Sequence, residues 1–404
     1  MLYIAYHCYT DLTDPMRVAA REALTAYSPL KARWDASGGR RLNAAWELMS
    51  RTGLSHDRPA YGIDQVRVGN RDVDIVEEPV FATPFGTLLR FRKDVDTPQP
   101  KLLVVAPLSG HFATLLRGTI KTLLADHDVY VTDWHNLRDV PLAAGPFAFD
   151  DYVDHVIRFI EAIGPGTHVL AVCQPCVQVM AAAAIMAADG NPSQPRSMTL
   201  MAGPVDTRIS PTKVNELALS RTIEWFEKNL IATVPMRYKG AGRKVYPGFM
   251  QLLAFMSMNL ERHKKAYQDL HDHLVAGEIE QAEAIKTFYD EYLAVLDLSA
   301  DFYLETVRYV FQEALLAKGE LTHRGRRVDP ASIRRTALLT VEGERDDICA
   351  LGQTAAAHDL CTSLRPYLKR HHLQAGVGHY GVFSGRRWET QIYPIVRNFV
   401  LSAE

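Results

Sequence analysis

Cys173 and Cys176, an aspartate pair at Asp346 and Asp347, and a late histidine, His379, are the residues whose types and spacing could do covalent chemistry. The cysteines lie in residues 167–190, THVLAVCQPCVQVMAAAAIMAADG. An apolar run over 169–173 is long enough for a buried strand. The alanine-rich segment after Gln174 and Pro175 has strong helix propensity. Cys176 is therefore expected at the sharp corner between strand and helix. Such a corner lifts a nucleophile above the end of a sheet, and the helix N-terminus behind it favours a thiolate. The backbone N–H of Val177 becomes a candidate donor to the oxygen of an attacked carbonyl.

The corner departs from the G-x-S-x-G elbow, whose glycines let helix and strand approach closely. Around Cys176 those places hold Gln174 and Gln178, although the small residues Ala181 to Ala184 could restore some close packing. Two other readings stand beside the nucleophile. A buried cysteine is commonly a packing residue, and Cys173-Gln174-Pro175-Cys176 is also a C-x-x-C of the redox type. This stretch alone leaves all three open.

The elements that must position these residues follow from the pattern of the chain. At 404 residues it suits a core domain with a substantial insertion. Hydrophobic residues at 47% and charged ones at 23% are ordinary for a globular protein, and a net charge of −2 gives no reason to expect nucleic acid binding. Five cysteines, an odd number thinly spread, argue for a reducing compartment and against a disulfide framework. No stretch approaches the roughly 20 apolar residues of a membrane span. The N-terminus lacks a basic region and meets Asp11 and Asp14 early, so a cytoplasmic protein is expected.

Asp14-Pro15 reads as a helix start running to about Tyr27. A second helix follows the Gly38-Gly39 break, and residues 1–70 are expected as a helical arm packed on the main domain. From Val73 the period changes to strands, with two β segments joined around Pro84-Phe85-Gly86. LLVVAP (102–107) and DVYVTDW (128–134) read as further strands, with a loop at Leu108-Ser109-Gly110-His111. A helix capped by Asp150 or Asp151 leads to 169–173, and SMTLMAGPVD (197–206) is the next strand. This alternation predicts an α/β fold with a mostly parallel sheet. Residues 207–330 read as a helical insertion, with no convincing internal strand from Ser210 to Lys318, and are rich in Met and aromatics, as suits a cap over a greasy ligand. His271-Asp272-His273 faces apart along a helix, so no metal site is expected. RTALLTV (335–341), a helical stretch over 351–365, a strand over 371–377 and a terminal helix complete a core of 71–206 and 331–404.

An acid after one late strand and a histidine after the last supply what the cysteine lacks. The order nucleophile, acid, histidine is that of α/β-hydrolases, and all three would sit at the C-terminal ends of parallel strands. Asp346 directly follows Gly343-Glu344-Arg345, while Asp347 is better placed to cap a following helix. The redox reading leaves both Asp346 and His379 idle. At this point the chain resembles the intracellular poly(3-hydroxybutyrate) depolymerases, relatives of the polyhydroxyalkanoate synthases that carry cysteine in place of serine. The resemblance rests on PLSGHFATLLRGT (107–119), VYVTDWHNLRDVP (129–141), VCQPCV (172–177), VEGERDDI (341–348) and GVGHYGVFSGRRW (376–388). It implies an α/β-hydrolase fold, Cys176 as nucleophile, Asp346 as acid and His379 as base, with no cofactor. It also implies association with cytoplasmic polyester granules. The oxyanion is then expected between Val177 and the loop at Leu108 or Ser109. Acyl transfer, coenzyme A thiolysis and a silent granule-binding protein remain open alternatives. So do oligomeric state, where a homo-oligomer is possible, and the mode of attack.

Overall fold

The computed structural model describes residues 2–30, 39–95, 97–258 and 260–404. Gly38, half of the expected glycine break, lies outside them. Nine strands form the main sheet: β1 (Gln65–Val68), β2 (Arg71–Ala82), β3 (Gly86–Lys93), β4 (Lys101–Val105), β5 (Asp128–Trp134), β6 (His168–Val172), β7 (Ser197–Met201), β8 (Ala337–Gly343) and β9 (Lys369–Gln374). Their spatial order is β1-β2-β3-β5-β4-β6-β7-β8-β9. β1, β2, β3 and β5 pair antiparallel in sequence, and every pairing from β5 onward is parallel. That order is the α/β-hydrolase sheet with β1 as an added edge. β1 went unrecognised in the sequence, and it carries the sheet back into residues assigned to the arm.

The alternation of strand side chains divides the core in two. Leu103, Val105, Val169 and Ala171 face one layer, with the helices α3 (Phe149–Ile163) and α4 (Cys176–Ala188). Leu102, Val104, Leu170 and Val172 face the other, with the helix over Tyr393–Ser402. Both faces are covered, which is why these strands read as continuous apolar runs. Ala181 to Ala184 of α4 are buried, and the helix lies close on the sheet, as expected. α3 begins after Ala148 rather than at a carboxylate cap. Asp151 instead reaches back to accept the Ala148 N–H at 2.8 Å, and Glu305 of the insert accepts that of Phe149.

Several expectations fail for tertiary reasons. The first helix, α1 (Leu2–Tyr27), does not start at Pro15 but passes through it. A proline costs the helix one hydrogen bond, and the turns before it are held by packing. Tyr3 is buried with its hydroxyl on the carboxylate of Asp297, and Tyr6 stacks on Phe249 at 4.4 Å. These partners lie in the insert, so the helix packs there, while the end of the arm joins the sheet through β1 and through Tyr61 on Phe91. The second helix, α2 (Arg40–Ser50), does likewise: Lys286 bridges Glu47, and the adjoining Arg51 bridges Asp290 at 2.5 Å.

The insert is not wholly helical. Besides its helices it holds a three-stranded antiparallel sheet of Ala232–Thr233, Lys244–Tyr246 and Leu298–Ser299, and a hairpin of Thr322–His323 with Arg326–Arg327. Strands this short carry too few residues to show a period. The expected helix over 351–365 is a run of turns with one short helix, Ala357–Leu360. Buried Glu342 holds this run, its carboxylate accepting the N–H groups of Gly352, Thr354 and Ala355 at 2.8–3.1 Å. The last strand, β9, ends at Gln374, three residues earlier than expected.

Candidate active site

β6 ends at Val172, and the next residue, Cys173, takes a left-handed backbone with φ of 64°. Only a tight structural demand keeps a non-glycine residue there. The demand is the elbow itself. Pro175, with φ −74°, is the N-cap of α4, so the whole reversal from strand to helix falls on Cys173 and Gln174. The residues two before and two after the corner are then Ala171 and Pro175, nearer to the small flanks of an elbow than Gln174 and Gln178.

Cys176 is not at the corner. It is the first residue of α4, wholly buried, with its thiol against the backbone carbonyls of Ala171 and Met201 at 3.6 and 3.9 Å. A Cβ added to Gly203 would come within 2.1 Å of its sulfur, so the thiol fills the close contact between helix and strand end. Burial pushes that thiol well above its ordinary pKa, and the neighbouring Cys173 pushes it further. Val177 follows it into the helix and is also buried.

β8 and β9 carry the other two groups to the same end of the sheet. Asp346 and His379 meet as expected, Oδ2 to Nδ1 at 2.8 Å. Asp346 Oδ1 accepts the backbone N–H groups of Ile348 and Cys349 at 2.9 and 2.8 Å, so its side chain serves the loop and the imidazole together. No helix follows for Asp347 to cap. The two loops are joined by the Arg345 N–H donating to the Val377 carbonyl at 2.9 Å. A Cβ at Gly343 would meet that same oxygen at 2.9 Å, so only glycine admits the approach. Burial by itself lowers the pKa of His379. The charges and hydrogen bonds of Cys173 and Asp346 outweigh it and hold the imidazole well above its usual value. Cys173 lines the same cavity as His379, and Cys176, wholly buried, does not.

Cys173, Gln174 and His379 open on an apolar cavity of about 370 Å³. The insert supplies much of its wall, including Leu217, Phe226, Tyr246, Phe302 and Val307. Leu108 and Ser109 line it from the sheet side. The Leu108 N–H, an expected oxyanion donor, is already given to Gln174 Oε1 at 3.1 Å. A larger hollow of about 500 Å³ between residues 219–224 and 308–313 is polar and open, and none of these groups reaches it. Gln174, Gly203 and Glu342 are site residues that sequence reasoning missed. Pro175 was the available signal for the corner: proline belongs to the first turn of a helix, so the elbow had to precede it.

No helix among the described residues is long and apolar enough to cross a membrane. No curated protein matches the chain in sequence. Among solved structures, 2-hydroxy-6-oxo-6-phenylhexa-2,4-dienoate hydrolase from Rhodococcus sp. strain RHA1 is 13% identical, covering 81% of this chain and 99% of its own, with a TM-score of 0.42. A monoacylglycerol lipase from Paleococcus ferrophilus is also 13% identical, covering 82% and 100%, with a TM-score of 0.41. Likeness this distant says nothing of the chemistry here, and the fold stands on the strand order. The family model described as PHB de-polymerase C-terminus matches residues 202–404, from the end of β7 through the insert to β8, β9 and the His379 loop. The chain belongs to the poly(3-hydroxybutyrate) depolymerase family and is a carboxylic ester hydrolase.

Proposed function

We propose that the protein hydrolyses ester bonds of poly(3-hydroxybutyrate) through a Cys173–His379–Asp346 triad, with Cys173 in the role first expected of Cys176. The observation that carries this reading is the His379–Asp346 hydrogen bond on the wall of an apolar cavity that Cys173 also lines, with Cys173 among the groups that raise the imidazole pKa. The raised pKa of His379 supports a protonated imidazole in the resting state. The Cys173 sulfur adds to the ester carbonyl carbon, and the oxyanion that forms is received by the backbone N–H of Gln174, the residue after the nucleophile. The C–O bond then breaks, and His379 gives its proton to the departing chain hydroxyl, leaving a thioester on Cys173. Water, losing a proton to His379, adds to the thioester, the C–S bond breaks, and a 3-hydroxybutyrate acid leaves. Asp346 holds the imidazole tautomer and stabilises its positive form throughout.

The aromatic and aliphatic wall contributed by the insert suits a chain of methyl-bearing ester units. The polymer, met as an intracellular granule surface, is the partner this reading requires. Amorphous polyester and the 3-hydroxybutyrate trimer, incubated with and without coenzyme A, test it. Free 3-hydroxybutyrate acids are expected in both, with a hydroxybutyryl group trapped on Cys173 by acid quench and peptide mass analysis. Hydroxybutyryl-coenzyme A as the sole product, or an acyl group on Cys176, would overturn it.

A further inference from the structure

Gln174 stands beside the nucleophile with its side chain in an unusual state. The residue is 8% exposed and forms part of the cavity wall. Its Oε1 accepts the Leu108 N–H at 3.1 Å, and this bond fixes which end of the amide faces the loop, since a backbone donor requires the oxygen. The Nε2 end is thereby turned the other way, and it is buried without any hydrogen-bond partner. Buried donors are normally satisfied, and one left empty within a reaction site is a place where a partner arrives during turnover. Gln178, one turn on, is also buried and unpartnered, but it does not line the cavity.

In hydrolase elbows the second oxyanion donor is an N–H from the loop that Leu108 occupies. Here that N–H is already committed. We propose that the side-chain amide of Gln174 relays it: Leu108 donates to Gln174 Oε1, and Gln174 Nε2–H donates to the oxyanion formed on the substrate carbonyl. One residue then supplies both donors, from its backbone and from its side chain. The chain of two hydrogen bonds polarises in the direction that stabilises negative charge on the substrate. No atom is transferred in this step.

This inference rests on Cys173 as the nucleophile, and the experiment separates the two. Gln174→Ala and Gln174→Glu are compared with the unaltered protein for trimer hydrolysis, for inhibition by 3-hydroxybutyraldehyde, and for alkylation of Cys173 by iodoacetamide. The aldehyde adds to the thiol and creates the same oxyanion; alkylation creates none. Both variants are expected to lose about 10²–10³-fold in kcat with KM little changed. Aldehyde affinity should fall in parallel and the alkylation rate should stay within about twofold. Glutamate keeps the acceptor for Leu108 and loses the donor, so it should do no better than alanine. Equal or faster turnover by Gln174→Ala would overturn the relay, because the freed Leu108 N–H would then be the true donor and Gln174 a plug. Parallel loss of alkylation would reduce Gln174 to a positioning residue. Turnover that survives alkylation of Cys173 would instead overturn the underlying triad.

Discussion

The sheet and the helical insert build one cavity by opposite means. On the sheet side, Cys173, Asp346 and His379 are each held by backbone constraints: a left-handed corner, two N–H groups on a carboxylate, and a glycine contact between loops. On the insert side the wall is made of large side chains, several of them partly exposed, and its supporting contacts run to the N-terminal arm. The sheet end therefore sets atoms to within a hydrogen bond, while the insert sets only shape and polarity. On the function proposed above, chemistry belongs on the first and choice of substrate on the second.

The two cysteines test the sheet side most severely. Cys173→Ala should abolish turnover of the trimer, whereas Cys176→Ala should keep most of it and cost about 1–2 kcal/mol in urea unfolding as a small core deletion. Activity that follows Cys176 would reverse the geometry argued above. Asp346→Asn comes next. Its oxygen can still accept from Ile348 and Cys349, so the loop should hold, but an amide donor in place of Oδ2 forces the wrong imidazole tautomer. A loss of about 10⁴-fold in kcat with normal folding is expected. A tenfold loss would show that the acid matters little here.

The insert should respond differently. Leu217 lines the cavity yet is 56% exposed, so Leu217→Asp should fold normally. It should lower kcat/KM for the trimer by about tenfold, with less effect on a short acyl ester. An equal loss on both would place Leu217 in the chemistry and blur the division. The smallest effect on turnover is expected from Tyr3→Phe. It leaves buried Asp297 without a hydroxyl donor and should cost about 1–3 kcal/mol of stability, seen in urea unfolding with unchanged kcat. A fall in kcat would mean that the arm shapes the site through the insert.

The same division explains what could be read in advance. Strand runs such as 128–134, buried on both faces, announce themselves by composition, and the parallel sheet followed from their alternation with helices. Asp346 and His379 were legible because each lies in the loop that follows a strand. The arm was misplaced because its anchors, Tyr3 to Asp297 and Lys286 to Glu47, join residues more than two hundred positions apart.

The sequence by itself determined the α/β alternation and the order of cysteine, acid and histidine along it, since these depend on local period and on chain order. Only the tertiary structure decided which of two cysteines, three residues apart, shares a cavity wall with the histidine. Both are small thiols at the end of one strand, and local propensity cannot separate them. The difference lies in where the reversal falls: Pro175 caps the helix, Gly203 and the strand ends close over Cys176, and the left-handed corner leaves Cys173 on the cavity that His379 also lines.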